Sequence, residues 1–339
     1  MDSRRKFVKQ GITLAAFSSL SPLYTAKDLI IGHGDFKYKV DANWGKLDKR
    51  KTPVKDCHEM VIDKNGRIIL LTNDVSNNVI IYNKDGEMVN KWGCNFPGAH
   101  GLSIKNEGGE DFLYITDTEK HIVVKHTIDG REVLRLPSPV ESGLYQNINQ
   151  YQPTETAIAD NGDIYVADGY GQQYILHYNS KGQLLNTFGG SGEEDEQFYN
   201  AHGIAIDSRS GQDKLLITAR QQNKLKYFTM TGRYESEVNL PGAYICRPVI
   251  HREQVYLATI WSHDGSSNTG FVSILDKENK LVSAPGGCQP FYDKEKLSPM
   301  FQTWEVFKHP HDVAIDNDEN IYVCQWNAGQ VYPYKLIRV

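Results

Sequence analysis

One phrase recurs along the chain: an entry turn, a short apolar strand, a polar turn carrying Asp, Asn or Gly, a second strand and a third. It starts at His58-Glu59-Met60-Val61-Ile62-Asp63 and continues through residues 67–73 and 78–83. Further copies start at His100-Gly101-Leu102-Ser103-Ile104, Pro153-Thr154-Glu155-Thr156-Ala157-Ile158 and His202-Gly203-Ile204-Ala205-Ile206-Asp207. A worn copy starts at Arg247, and the last at His311-Asp312-Val313-Ala314-Ile315-Asp316. A unit this small cannot bury both faces of its own sheet, so copies must pack side by side. Short strands rich in Val, Ile, Leu and Tyr, separated by Asp85-Gly86, Asp129-Gly130 and Lys181-Gly182 turns, read as antiparallel hairpins. Six such copies predict an all-β, six-bladed β-propeller. The sixth copy reaches Val339 too early for a fourth strand. Residues 36–40, Phe-Lys-Tyr-Lys-Val, are predicted to supply it and so close the ring from the N-terminal side. The expected domain is a single propeller over residues 27–339.

The first 26 residues read differently. Arg4-Arg5-Lys6-Phe7 precedes a weakly apolar stretch over residues 11–20 and then Ser21-Pro22. A basic head with so short an apolar segment reads as an export signal, and the paired arginines resemble the twin-arginine type. The expected destination is the periplasm or the extracellular space of a bacterium, reached folded through the twin-arginine export machinery. The chain has 37 Lys+Arg against 42 Asp+Glu, a net charge of -5, and no basic tract. That balance argues against sequence-independent nucleic-acid binding. No run of 18 apolar residues occurs, so no transmembrane span is expected. Five scattered Cys without a C-x-x-C pair argue against a disulfide scaffold, a zinc ribbon or a redox motif.

In a propeller, the turn entering each innermost strand faces the central channel. The six positions read as channel turns are His58, His100, Thr154, His202, Arg247 and His311. His100, His202 and His311 lie in alternate blades, about 120° apart in a six-fold ring, so their imidazoles converge near the axis. Three neutral imidazoles leave an open position on Zn²⁺, the arrangement of a catalytic zinc site. Tyr170, in Asp168-Gly169-Tyr170-Gly171, follows an inner strand of blade three and is expected at the same mouth. A phenol beside a dication is a candidate general base. Arg220, after Thr218-Ala219, is expected to grip a carboxylate.

Taken in order, His100-Gly101-Leu102, Gln152-Pro153-Thr154, Asp168-Gly169-Tyr170, Gln197-Phe198 before His202-Gly203, Arg220 and Pro310-His311-Asp312 resemble peptidyl-alpha-hydroxyglycine alpha-amidating lyase. The repeat wording itself is similar to the NHL repeat. The lyase resemblance implies zinc on His100, His202 and His311, Tyr170 as the proton-removing base, Arg220 as a substrate anchor, and a structural calcium at Asp312. It implies cleavage of a carbon–nitrogen bond at a hydroxylated carbon, with release of an amide and glyoxylate. The chain departs from that pattern at Asn73, where the family has a second arginine, and at His309, where it has a methionine. The family's disulfide positions are Tyr151 and Gly171 here. His58 and Arg247 are further candidates for the site. A non-catalytic propeller binding a ligand or protein partner is the alternative reading. A calcium-dependent hydrolase or lactonase needs converging carboxylate and amide ligands, where these turns offer mainly His.

Overall fold

The computed structural model describes residues 29–339, so the expected export signal over residues 1–26 lies outside the described residues. Five four-stranded antiparallel sheets and one five-stranded sheet surround a central axis. Their innermost strands are Cys57–Ile62, Ala99–Glu107, Glu155–Ile158, Ala201–Asp207, Ala243–His251 and Pro310–Ile315, one for each of blades one to six. Innermost strands of neighbouring blades pack on one another around the ring, the first against the last included. This is the six-bladed propeller expected from the repeats. Among the described residues no helix is long and apolar enough to cross a membrane.

Blade one shows why these sequences make blades. Its second strand, Ile68–Thr72, is buried throughout. Side chains alternate across a strand. Ile68 and Leu70 accordingly pack with Ala314, Tyr322 and Cys324 of blade six. Ile69 and Leu71 pack with Leu102, Leu113 and Ile115 of blade two. Both faces meet a neighbour, so the strand reads as a continuous apolar run. Each fully buried Ile or Leu contributes about 1.5–3 kcal/mol, and the core is a set of such inter-blade layers.

The ring closes as the truncated last repeat predicts. Phe36–Asp41 pairs with Tyr334–Arg338, setting Tyr38 opposite Arg338 and Val40 opposite Leu336. Beyond expectation, Ile30–His33 adds a fifth, outermost strand, paired with Phe36–Asp41. Ile31, Tyr38 and Val40 join one buried layer with Tyr256, Ile260 and Ile274 of blade five. His33 N–H also donates to Ser283 Oγ, 2.8 Å away, fastening the closure to that blade.

Candidate metal centre and active site

The channel-facing histidines owe their direction to a repeated backbone irregularity. Register shifts fall between Cys57 and Glu59, Ala99 and Leu102, Ala201 and Ile204, Ile245 and Pro248, and Pro310 and Asp312. A bulge breaks the strict alternation of a strand and re-aims the extra side chain, here toward the axis. His58, His100, His202 and His311 sit in four of these shifts. Their rings cluster, with centroids 4.8 Å apart for His100 and His202, 4.9 Å for His100 and His311, and 5.0 Å for His202 and His311. His58 joins them, 5.0 Å from His100 and 4.9 Å from His311.

Register corrects one assignment. Blade four pairs Ala201 with Ala219 and Ile204 with Ile217; blade five pairs Ile245 with Thr259 and Pro248 with Leu257. The matching offsets put Cys246 where His202 stands, and Arg247 one residue deeper, where Gly203 stands. The axial ring is therefore His58, His100, Thr154, His202, Cys246 and His311. Sequence reasoning missed Cys246 because Arg247 resembles a turn residue. The apolar Ile245, matching Ala201 as the residue before the bulge, was the available signal.

The imidazoles are held in the neutral form. Burial pushes His58 down to about 3, with Lys55 contributing. Burial first, then the neighbouring His and Arg220, hold His100, His202 and His311 well below the ordinary range. His100 Nδ1 donates to Thr154 O at 2.9 Å and His311 Nδ1 to His58 O at 2.8 Å, since a carbonyl only accepts. Those bonds fix the tautomer and put the lone pair on each Nε2, the support that metal-ligating His receives. Nδ1 of His58 and Nδ1 of His202 are buried without a partner. Ligand atoms of His58, His100 and His311 lie within 4.8 Å of one another, as do those of His202, Cys246 and His311. The expected trio His100, His202 and His311 straddles these two groups. Neutral nitrogens with a nearby thiol suit zinc.

Tyr170 stands over this cluster. Its hydroxyl lies 3.1 Å from His100 Nε2 and 3.2 Å from His202 Nε2, and accepts from Arg220 Nη2 at 3.3 Å. Tyr170 as a whole is 38% exposed, so it joins the buried donors to the open mouth. Its loop is tightly specified. The Asp168 carboxylate accepts from Gln152 N at 2.6 Å, Gln172 N at 2.6 Å and Tyr145 Oη at 2.9 Å. Burial pushes the Asp168 carboxyl up to about 7, against these donors. The flanking glycines leave no room for a side chain: a Cβ on Gly169 would lie 2.2 Å from Ala201 O, and one on Gly171 2.3 Å from Gln150 O.

Arg220 is buried, not a solvated rim charge. Its guanidinium lies over the rings of Tyr170 and Trp261, 5.7 and 5.4 Å from their centroids. It reaches Cys246 Sγ at 4.0 Å, and its Nε has no partner. Among the described residues no carboxylate pairs with it.

The remaining candidates lie elsewhere. Asn73 braces its own turn, accepting from Asp56 N at 2.8 Å and donating to Asp56 Oδ2 at 3.2 Å. His309 Nε2 accepts from Ser267 Oγ at 2.8 Å and Asn268 N at 3.1 Å, pinning a blade-five loop. Asp312 is engaged by Arg247 through 3.1 and 2.6 Å bonds, so its surroundings do not fit the expected calcium. All five Cys are free.

Fold and site together define a class: a six-bladed propeller of NHL-type repeats with an axial cluster of imidazoles. No protein-family model matches the sequence. The chain is 26% identical over 274 residues to peptidyl-alpha-hydroxyglycine alpha-amidating lyase 1 of Drosophila melanogaster, covering 74% of this chain and 47% of that protein. It is 29% identical over 271 residues to a probable peptidyl-alpha-hydroxyglycine alpha-amidating lyase of Caenorhabditis elegans, covering 76% and 70%. NHL repeat-containing protein 3 of Homo sapiens is 24% identical over 200 residues, covering 56% of each chain. The chain thus spans about half the length of the first and third of these relatives. Among solved structures, a streptogramin B lyase superposes with a TM-score of 0.54 at 13% identity, covering 84% of this chain and 94% of that one. A gluconolactonase from Xanthomonas campestris superposes at 0.56 and 12%, covering 84% and 86%. These two likenesses show the fold alone. The sequence relatives show that the chain has homologues among propeller lyases.

Proposed function

We propose that the protein is a zinc-dependent lyase that breaks a carbon–nitrogen bond at a hydroxylated carbon bearing a carboxylate. The observation that carries this reading is Arg220: a buried guanidinium without a carboxylate partner, beside a phenol that stands on a cluster of neutral imidazoles. An unpaired buried cation is costly, and a substrate carboxylate would satisfy it with charge-assisted hydrogen bonds. His100, His202 and His311 are the residues that would hold zinc, with His58 and Cys246 beside them. Bound there, zinc supplies Lewis acidity toward the substrate hydroxyl.

The chain's own residues do the rest. Arg220 orients the carboxylate so that the neighbouring hydroxyl faces Tyr170. Tyr170, acting as its phenolate, takes the hydroxyl proton as the carbon–oxygen bond becomes a carbonyl and the carbon–nitrogen bond breaks. The electron pair leaves with the amide nitrogen, which takes that proton back from Tyr170, so atoms and charge balance. Amide and glyoxylate are the products from an α-hydroxyglycine peptide. The relatives named as amidating lyases support this reading, as does the site geometry.

Asn73 offers no second cation, because its amide is committed to Asp56. Carboxylate recognition therefore falls on Arg220. A single charge-assisted contact is worth about 1.5–3 kcal/mol, so Arg220→Ala should raise KM about 10- to 150-fold. The test is glyoxylate release from an α-hydroxyglycine peptide by the zinc-loaded chain. Release that is saturable and weakened in KM by Arg220→Ala supports the proposal. No release from fully metallated protein would overturn the substrate assignment.

Metal content is checked separately. Purified protein should carry about one zinc, and Ala at His100, His202 or His311 should each remove most of it, since two His rarely hold zinc tightly. Full zinc in any of these variants would overturn the ligand set. Loss in His58→Ala would add His58 to it.

A further inference from the structure

One residue below the axial ring, the innermost strands supply a second ring: Glu59, Gly101, Glu155, Gly203, Arg247 and Asp312. Two of its members are glycines with no room for a Cβ; on Gly203 it would lie 2.6 Å from Arg247 Cα. The glycines let neighbouring strands approach closely, and the one guanidinium of the ring meets the acids. Arg247 Nε and Nη2 grip both oxygens of Asp312, at 3.1 and 2.6 Å. Nη2 also donates to Met60 O at 2.9 Å, and Nη1 to Leu102 O at 2.9 Å. Glu59 Oε2 and Glu155 Oε2 lie 3.8 and 3.7 Å from Nε.

The donors are therefore three carboxylates and two backbone carbonyls from blades one, two, three and six, all turned on one point. Every one is a hard oxygen, and their number matches what calcium takes. Yet the cation at that point is covalently part of blade five. Each of the acids is almost completely buried, and a buried charge persists only when paired. Glu59 Oε2 accepts from Leu102 N at 2.5 Å and Asp312 Oδ2 from Met60 N at 2.9 Å, so the carboxylates are also stitched to the backbone of neighbouring blades. Among the described residues Arg247 is the one cation in the ring, and burial, with Glu155 beside it, pushes the Glu59 carboxyl well above the usual carboxylate range.

We infer that Arg247 is a built-in structural cation: its guanidinium takes the place of a channel calcium ion, cross-links five of the six blades at the axis, and leaves a latent calcium site beneath it. The donor set disagrees with the calcium expected from family resemblance, because the Asp312, Met60 and Leu102 oxygens are already hydrogen-bonded to Arg247, while Glu155 Oε2 pairs with its charge at 3.7 Å without a hydrogen-bond partner. A funnel of about 470 Å³ on the opposite face, lined by the outer halves of the innermost strands, has Arg247 among its walls. The guanidinium thus stands between that funnel and the imidazole ring.

The inference does not depend on which metal the imidazoles hold, and its test keeps zinc constant. Thermal unfolding of the wild-type chain is followed in calcium-free, zinc-supplemented buffer with and without millimolar calcium, alongside elemental analysis. The wild type should show the same Tm in both and no stoichiometric calcium. Arg247→Met keeps much of the bulk but removes the charge. Its Tm should fall by roughly 5–8 °C without calcium, as expected when one partner of a buried charge network is removed. Calcium should recover most of that loss and bind at about one ion per chain. A wild-type Tm that rises with calcium, or about one calcium bound to the wild type, would overturn the inference. So would a folded Arg247→Met chain that binds none. The wild-type arm decides the question even if Arg247→Met does not fold.

Discussion

Tyr170→Phe is expected to lower turnover about 10²- to 10⁴-fold, the usual loss on removing a general base, with zinc content unchanged. The substitution keeps the ring that packs against Arg220 and the imidazoles, and deletes only the hydroxyl that touches His100, His202 and Arg220. A purely structural Tyr170 would lose little, because the aromatic surface remains. Arg220→Ala should fail differently, mainly in KM, since its guanidinium anchors and does not move the proton. The two variants, assayed for glyoxylate release at matched metal content, separate base from anchor. Full activity in Tyr170→Phe would remove the tyrosine from the mechanism.

Deleting residues 27–42 is expected to leave a chain whose Tm is lower by roughly 7–14 °C, or one that does not fold. Two strands go at once: Phe36–Asp41, which pairs with Tyr334–Arg338, and Ile30–His33 outside it. Ile31, Tyr38 and Val40 leave a buried layer shared with blade five. At about 1.5–3 kcal/mol for each side chain, that burial alone approaches the 5–15 kcal/mol by which domains are stable. The cut also exposes the edge of Tyr334–Arg338, a template for aggregation. A melting curve matching wild type would sink the closure as a stabilising element.

Much of this architecture was legible because its signals are local. Blade strands announce themselves by apolar runs and turn dipeptides, and the truncated last copy pointed to residues 36–40. The histidines of blades two, four and six were legible because a six-fold ring turns regular spacing into convergence, and the rings of His100, His202 and His311 do lie together. Ile30–His33 was not foreseen, because an outermost strand pairs on one edge only and carries little alternation. His58 was left open, and only its ring contacts with His100 and His311 settled its place.

The placement of Cys246 and Arg247 shows where sequence reading stops. One-residue offsets are invisible in a worn repeat, yet they decide whether a thiol or a guanidinium faces the imidazoles. The pairing of Ile245 with Thr259 and Pro248 with Leu257 decided it. Arg220 and Asn73 read alike as polar residues ending inner strands, but packing buried one without a carboxylate and tied the other to Asp56. By itself the sequence determined the six-bladed ring, its closure and the blades from which axial donors come, because strand alternation and repeat spacing are properties of neighbouring residues. Only the tertiary structure decided which polar groups meet at the axis and which arrive already paired. That outcome depends on side chains of different blades being buried together, and no local pattern encodes their distances.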